Sequence, residues 1–291
     1  FVFTLSDKKL HLFDMAQVKE LGEMRLDKSE APFDRMCICA LRYFQTDSDV
    51  SCQIKDLDAW LVLKSRHEML SKAMDSTTYF YKRFADPIKD LFLLTPKLVL
   101  VYFEQKCYFD VYNVLTGQLK LRKMFATRIT LLNVNSHHDY VNDKKNLDML
   151  KKMLILVAFE RGEIESILVS YENQKGEEDD DHEDDDGPLS EEKKAQRYLN
   201  DDIEMRTLNR LPVAGVDVLD IRFVKASSDL YEFDVSGLVI TLSDGSFMFA
   251  DLDDELAINK IYFYKSKSPA TTTTTTLRIA CINEHGVLLL D

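Results

Sequence analysis

Thr241-Leu242-Ser243-Asp244-Gly245-Ser246-Phe247-Met248-Phe249-Ala250-Asp251 aligns without a gap on Thr4-Leu5-Ser6-Asp7-Lys8-Lys9-Leu10-His11-Leu12-Phe13-Asp14. A third copy, Cys281-Ile282-Asn283-Glu284-His285-Gly286-Val287-Leu288-Leu289-Leu290-Asp291, keeps the spacing. Each copy is an apolar run, a short polar turn whose residues tolerate turn dihedrals, a second apolar run and an aspartate, which is the pattern of an antiparallel hairpin. Asp251 and Asp291 are 40 residues apart, within the ~40–45-residue period of four-stranded repeats.

Two further segments carry the same unit. Leu98-Val99-Leu100-Val101-Tyr102-Phe103, then Glu104-Gln105-Lys106, leads into Cys107 to Leu119, and Met153 to Phe159 is joined to Ile164–Tyr171 by Glu160-Arg161-Gly162-Glu163. Val111-Tyr112-Asn113-Val114-Leu115-Thr116-Gly117 resembles the end of a WD repeat, and Leu12-Phe13-Asp14-Met15 resembles the same element with phenylalanine in place of tryptophan. The resemblance implies an all-β fold, a β-propeller of four-stranded antiparallel blades, and places the recurring hairpin at the third and outermost strands of each blade. The chain departs from the family in having no Trp-Asp pair, its one tryptophan being Trp60, and no Gly-His pair. Those residues form a side-chain hydrogen-bond network in well-formed WD repeats, so apolar packing between sheets is expected to take over its role.

Read along the chain, residues 1–28 supply part of a first blade and Phe33 to Lys64 a second. Residues 65–84 read as a short helix leading into a strand. Ile88–Phe125, Ile129–Asn173 and Val216–Tyr264 give three more blades, and a sixth begins near Leu277. The reading is one propeller-like domain over 1–291, incomplete or part of a larger chain, because a propeller must close to hide its sheet edges. Residues 174–211 form an acidic insertion, disordered at first and helical from Ser190, a plausible N-cap, to Leu208. Residues 266–276 read as a Ser/Pro/Thr-rich loop.

The insertion carries most of the charge imbalance. Glu177 to Asp186 holds nine acids in ten positions, so the net charge of −13 becomes −4 without it. Phosphate neutralisation needs clustered Lys and Arg, and the nearest candidate, Lys120, Arg122, Lys123 and Arg128, falls on a segment where strand alternation leads to a solvated face; direct nucleic-acid contact is therefore disfavoured. Asp179, Asp180, Asp181, Glu183, Asp184, Asp185 and Asp186 are candidate contacts to a basic protein such as a histone or ribosomal protein. No apolar run approaches the ~20 residues that span a bilayer. Five cysteines, odd in number and mostly inside apolar runs, suit reduced, buried thiols in an intracellular protein, nuclear or cytoplasmic.

For catalysis the sequence offers no glycine-rich phosphate loop, nucleophile elbow or zinc-binding helix motif. His137-His138-Asp139 reads as a polar loop, and His67-Glu68, a base beside an acid, has no nucleophile to serve. No cofactor or metal is expected. The expectation is a non-enzymatic scaffold that binds other protein subunits of an intracellular, nuclear or ribonucleoprotein assembly through rim aromatics. Tyr79, Phe80, Tyr81 and Tyr140, placed in connections between strands, are the candidates. A propeller enzyme with a central-channel site and an acidic-loop chaperone are the alternatives.

Overall fold

The structure is a computed structural model and describes residues 2–6, 9–14, 19–26, 33–40, 59–73, 77–95, 97–135, 152–160, 162–171, 203–213, 215–225, 235–253, 256–264, 278–283 and 286–290. Among them every regular element is a strand, and successive strands pair antiparallel with their sequence neighbours. The strands group into two compact units of three sheets each.

In the first unit, β1 (Val2–Ser6), β2 (Lys9–Asp14) and β3 (Lys19–Arg25) form a three-stranded sheet. β4 (Arg35–Ala40), β5 (Ala59–Lys64), β6 (Glu68–Ala73) and β7 (Thr78–Arg83) form a four-stranded one, as do β8 (Ile88–Leu93), β9 (Leu98–Phe103), β10 (Tyr108–Asn113) and β11 (Leu119–Met124). In the second unit, β12 (Ile129–Val134), β13 (Lys152–Phe159), β14 (Glu163–Tyr171) and β15 (Ile203–Pro212) make a four-stranded sheet. They are followed by β16 (Val218–Lys225), β17 (Val235–Leu242), β18 (Phe247–Leu252) and β19 (Ile258–Tyr264), then by the pair β20 (Arg278–Asn283) and β21 (Gly286–Leu290). The repeating unit is the up-and-down four-stranded blade of a β-propeller, and the chain is of the all-β propeller class.

Burial explains why the second strand of a blade reads as a nearly unbroken apolar run. All six residues of β9 are buried, and Val101, Leu100 and Val99 are wholly inaccessible. A strand covered on both faces loses its period-two signal, whereas a strand with one wet face keeps it. The last strands do keep it: β7 alternates half-buried and exposed residues, and β15 does so at most of its positions. Sheets pack through such faces. Cys37, Val62 and Met69 of one sheet meet Ile88, Leu91, Val99 and Val101 of the next, and Leu154, Leu156 and Ile164 likewise share a core with Ile221, Leu238 and Ile240. Burial pushes the Cys37 thiol up to about 11, and its sulfur points at the Leu91 carbonyl oxygen, 3.9 Å away. Polar ties cross the same boundaries: Arg35 Nε meets Asp90 Oδ1 at 3.0 Å, and Asn133 Nδ2 donates to the Ile221 carbonyl oxygen at 2.7 Å.

The structure corrects four expectations. The recurring hairpin Thr241–Asp251 joins the second and third strands of its sheet, β17 and β18, because a fourth strand, β19, follows. Cys281–Asp291 is different again: β20 lies against β16 just as β12 lies against β16 and β4 against β8, so it is a first strand, and the hairpin it opens joins strands one and two. Residues 65–84 are not a helix but the hairpin β6–β7, which extends the second sheet to Arg83. Glu68, Met69, Leu70, Lys72 and Ala73 are good helix formers, yet burial of all six β6 residues between β5 and β7 overrides that preference. The helix expected over Ser190–Leu208 fails where it is described, since Ile203–Pro212 is β15, paired with β14 along its whole length. Residues 172–202, with the acidic run, and 265–277, with the threonine tract, lie outside the described residues.

Gly162, in the turn between β13 and β14, has φ +71°. A Cβ there would overlap the Val213 carbonyl oxygen and come within 2.7 Å of that of Val216, while at Gly215 (φ +73°) it would meet nothing. Gly215→Ala is therefore expected to cost only the left-handed-backbone penalty, about 1 kcal/mol, and Gly162→Ala roughly 2–4 kcal/mol. Chemical denaturation of the two variants measures the difference.

Candidate partner-binding strands

Among the described residues the exposed large hydrophobics are Tyr79, Tyr81, Leu119, Met124, Ile261, Tyr262, Phe263 and Tyr264. All eight lie on the last strand of a four-stranded sheet: two on β7, two on β11 and four on β19. Among the described residues each of these strands pairs on one side only.

The candidate aromatics divide. Tyr79, Phe80 and Tyr81 sit within β7 rather than in a connection between strands. Tyr79 and Tyr81 point outward, 40% and 38% exposed. Phe80, between them, turns inward by strand alternation, packs on the core and covers Gly117, where a Cβ would stand 3.1 Å from its ring. Tyr140 and the acids Asp179, Asp180, Asp181, Glu183, Asp184, Asp185 and Asp186 lie outside the described residues, as does His137-His138-Asp139.

The last strands are fixed to their sheets by buried carboxylates on the third strand. Asp110 of β10, 1% exposed, accepts from Arg122 Nε at 2.6 Å and Arg122 Nη2 at 2.8 Å, and from the Tyr112 hydroxyl at 3.0 Å. The hydrogen bonds to Asp110 hold the Arg122 guanidinium firmly protonated, and its carbon lies 4.3 Å from the centre of the Tyr108 ring. Burial, with the Asp110 charge beside it, raises the Tyr112 hydroxyl. Glu165 of β14 accepts from Thr207 Oγ1 at 2.6 Å and pairs with Arg210 Nε at 3.3 Å, both on β15. Glu68 of β6 accepts from the Tyr81 hydroxyl at 2.6 Å. Asp110 stands directly opposite Arg122 in the ladder and Glu165 directly opposite Arg210. Buried charges need such partners, so the sheets combine apolar packing with a polar lock of their own in place of the Trp-Asp network. Glu68 is thereby tied to β7.

β19 departs from the other last strands. Six of its seven residues are exposed, on both faces. Tyr264 stacks on Phe247 with ring centres 4.8 Å apart, and Tyr262 is tilted against Phe249 at 6.1 Å, forming a cross-strand aromatic ladder. The sequence reading assigned this run to the body of the fifth blade. Its four consecutive large apolar residues, Ile261 to Tyr264, have the pattern of a strand buried on both faces, so the exposure of β19 has no local sequence signal.

No family model and no curated protein matches the chain. Among solved structures, the β-propeller domain of Cps50 (Swd1) from Myceliophteria thermophila is similar at 9% identity and a TM-score of 0.42, over 89% of this chain and 66% of that one. Hsv2 of Kluyveromyces lactis is similar at 9% identity and a TM-score of 0.43, over 88% and 57%. BBS1N, in a complex with ARL6DN, is similar at 9% identity and a TM-score of 0.38, over 97% and 82%. The chain thus spans less than two thirds of the first two. The β-propeller class rests on the four-stranded antiparallel sheets themselves.

Removing Arg122 strands a buried carboxylate, while removing the Asp110 charge leaves a half-exposed guanidinium that turns to water. Arg122→Met is accordingly expected to cost about 3 kcal/mol and Asp110→Asn about 1–2 kcal/mol. Urea denaturation of both variants checks that order, and the reverse order would contradict it.

Proposed function

We propose that the protein is a non-catalytic interaction scaffold, a WD-repeat-like subunit that works inside the cell in a multiprotein assembly and binds other proteins through the last strands of its blades. One observation carries this reading: the exposed large hydrophobics of the described residues are confined to β7, β11 and β19. Scattered apolar residues on a surface need no explanation, but apolar side chains concentrated on strands with an unpaired edge mark protein-binding surfaces. Aromatic side chains are the groups in which binding free energy concentrates, and five of the eight are aromatic. The buried carboxylates position the binding strands: Glu68 orients Tyr81, and Asp110 fixes β11 by its pairing with Arg122.

The test is affinity isolation of the full chain from cells, alongside Met124→Ser and Tyr262→Ser/Phe263→Ser variants. Stable companions are expected with the unaltered chain and depleted by at least one variant whose melting temperature is unchanged. Recovery as a free monomer, or companions indifferent to every variant, would overturn the reading.

A further inference from the structure

Edge strands in soluble proteins are protected by charge, proline, shortness or a covering element. β11 carries Lys120, Arg122 and Lys123 among its six residues, and two copies of it laid antiparallel would set cation against cation in every register that pairs most of the strand. β19 differs. Its one charge, Lys260, stands directly opposite Asp251 in the β18–β19 ladder, so the strand selects neither an acidic nor a basic neighbour. Ile261, Tyr262, Phe263 and Tyr264 follow, 42–57% exposed, and among the described residues β19 pairs with β18 alone. Side-chain pattern is left to choose the neighbour, and in that pattern β19 is complementary to itself.

We propose that β19 pairs antiparallel with β19 of a second copy of this chain, about a twofold axis at Tyr262, joining two four-stranded sheets edge to edge. A twofold contact uses the same patch on both copies, so every pairing occurs twice. With the axis at Tyr262, Phe263 faces Ile261 of the second copy, and Tyr264 faces its Lys260, a cation–aromatic pair. On one face of the joined sheet, Phe249 and Tyr262, already in ring contact, run on into Tyr262 and Phe249 of the second copy. On the other face Met248 and Phe263 are followed by Ile261 and Ala250. No like charges meet, and the exposed apolar residues of β19 gain apolar or cation–aromatic neighbours. An axis at Ile261 would instead set Phe263 against Asn259. An edge of seven residues is small beside the ~1,600 Å² of a standard interface, so the dimer is weak and reversible. The proposal goes beyond the scaffold reading and does not rest on it: β19 serves the chain itself, and β7 and β11 stay open to other proteins.

Sedimentation velocity of the full chain over roughly 1–100 μM tests this. The unaltered chain is expected to pass from monomer to dimer. Ile261→Glu and Phe263→Lys, each acting twice across the axis, are each expected to weaken the dimer by at least about tenfold. An equimolar mixture of the two variants is expected to recover it. The register brings the new carboxylate of one chain to the new ammonium of the other and leaves Phe263 against Ile261 at the second contact. A monomer at every concentration, a dimer indifferent to both variants, or a mixture no tighter than its components would overturn the proposal. If a variant fails to fold, hydrogen exchange of the unaltered chain decides: β19 amides exchange fast in the dilute monomer and slow as the dimer forms, and β19 exchange that stays constant as the dimer forms contradicts the pairing. If the chain stays monomeric while cellular companions depend on Met124, this proposal falls and the scaffold reading stands.

Discussion

A strand buried on both faces has to be covered on both faces, and that constraint organises this chain. β9, and β13 from Met153 to Phe159, are apolar throughout and buried on both faces, and no polar alternation is compatible with that position. Covering a central strand requires flanking strands within the sheet and neighbouring sheets above and below. The polar boundary is thereby displaced to the last strand of each blade, where one edge of the backbone has no partner within the sheet. Architecture and the proposed function meet there: the last strands are also the ones that carry the exposed large hydrophobics of the described residues.

The last strand must satisfy two opposed demands. It stays in its sheet, and it carries exposed apolar side chains, the groups to which the proposed function assigns the partner contact. The buried carboxylates meet the first demand. Asp110 and Glu165 each face an arginine directly across the ladder, and Glu68 takes the hydroxyl of an otherwise outward-pointing tyrosine. A carboxylate that is 1% exposed is costly unless paired, so the strand that brings the partner is held in a single register. β19 is held against β18 by aromatic stacking, and six of its seven residues are exposed.

The hairpins at Leu98–Leu119 and Thr241–Asp251 were legible in the sequence because they are largely apolar strands joined by short polar turns, and such runs have few alternative readings. The blade limits at Ile88, Ile129 and Tyr264 followed from them. Position within the blade was not legible: a strand-turn-strand pattern is the same whether it joins strands one and two, as at β20–β21, or two and three, as at β17–β18. Ile203–Pro212 and Glu68–Ala73 were missed for another reason, since Glu, Met, Leu, Lys and Arg favour helix locally and only pairing in a sheet makes them strands. Of the candidate residues, Tyr79 and Tyr81 stand out in the sequence through their aromatic run and are exposed on β7. Ile261 to Tyr264 looked like core, because exposure depends on which neighbours a strand lacks and no local pattern records that.

Hydrogen exchange followed by mass spectrometry tests the central claim most directly, because backbone protection reports position within a sheet. The account predicts slowest exchange in β9 and β13, which pair on both sides, and markedly faster exchange in β7, β11 and β19, which pair on one. Protection of β19 equal to that of β9 in the isolated chain would contradict it.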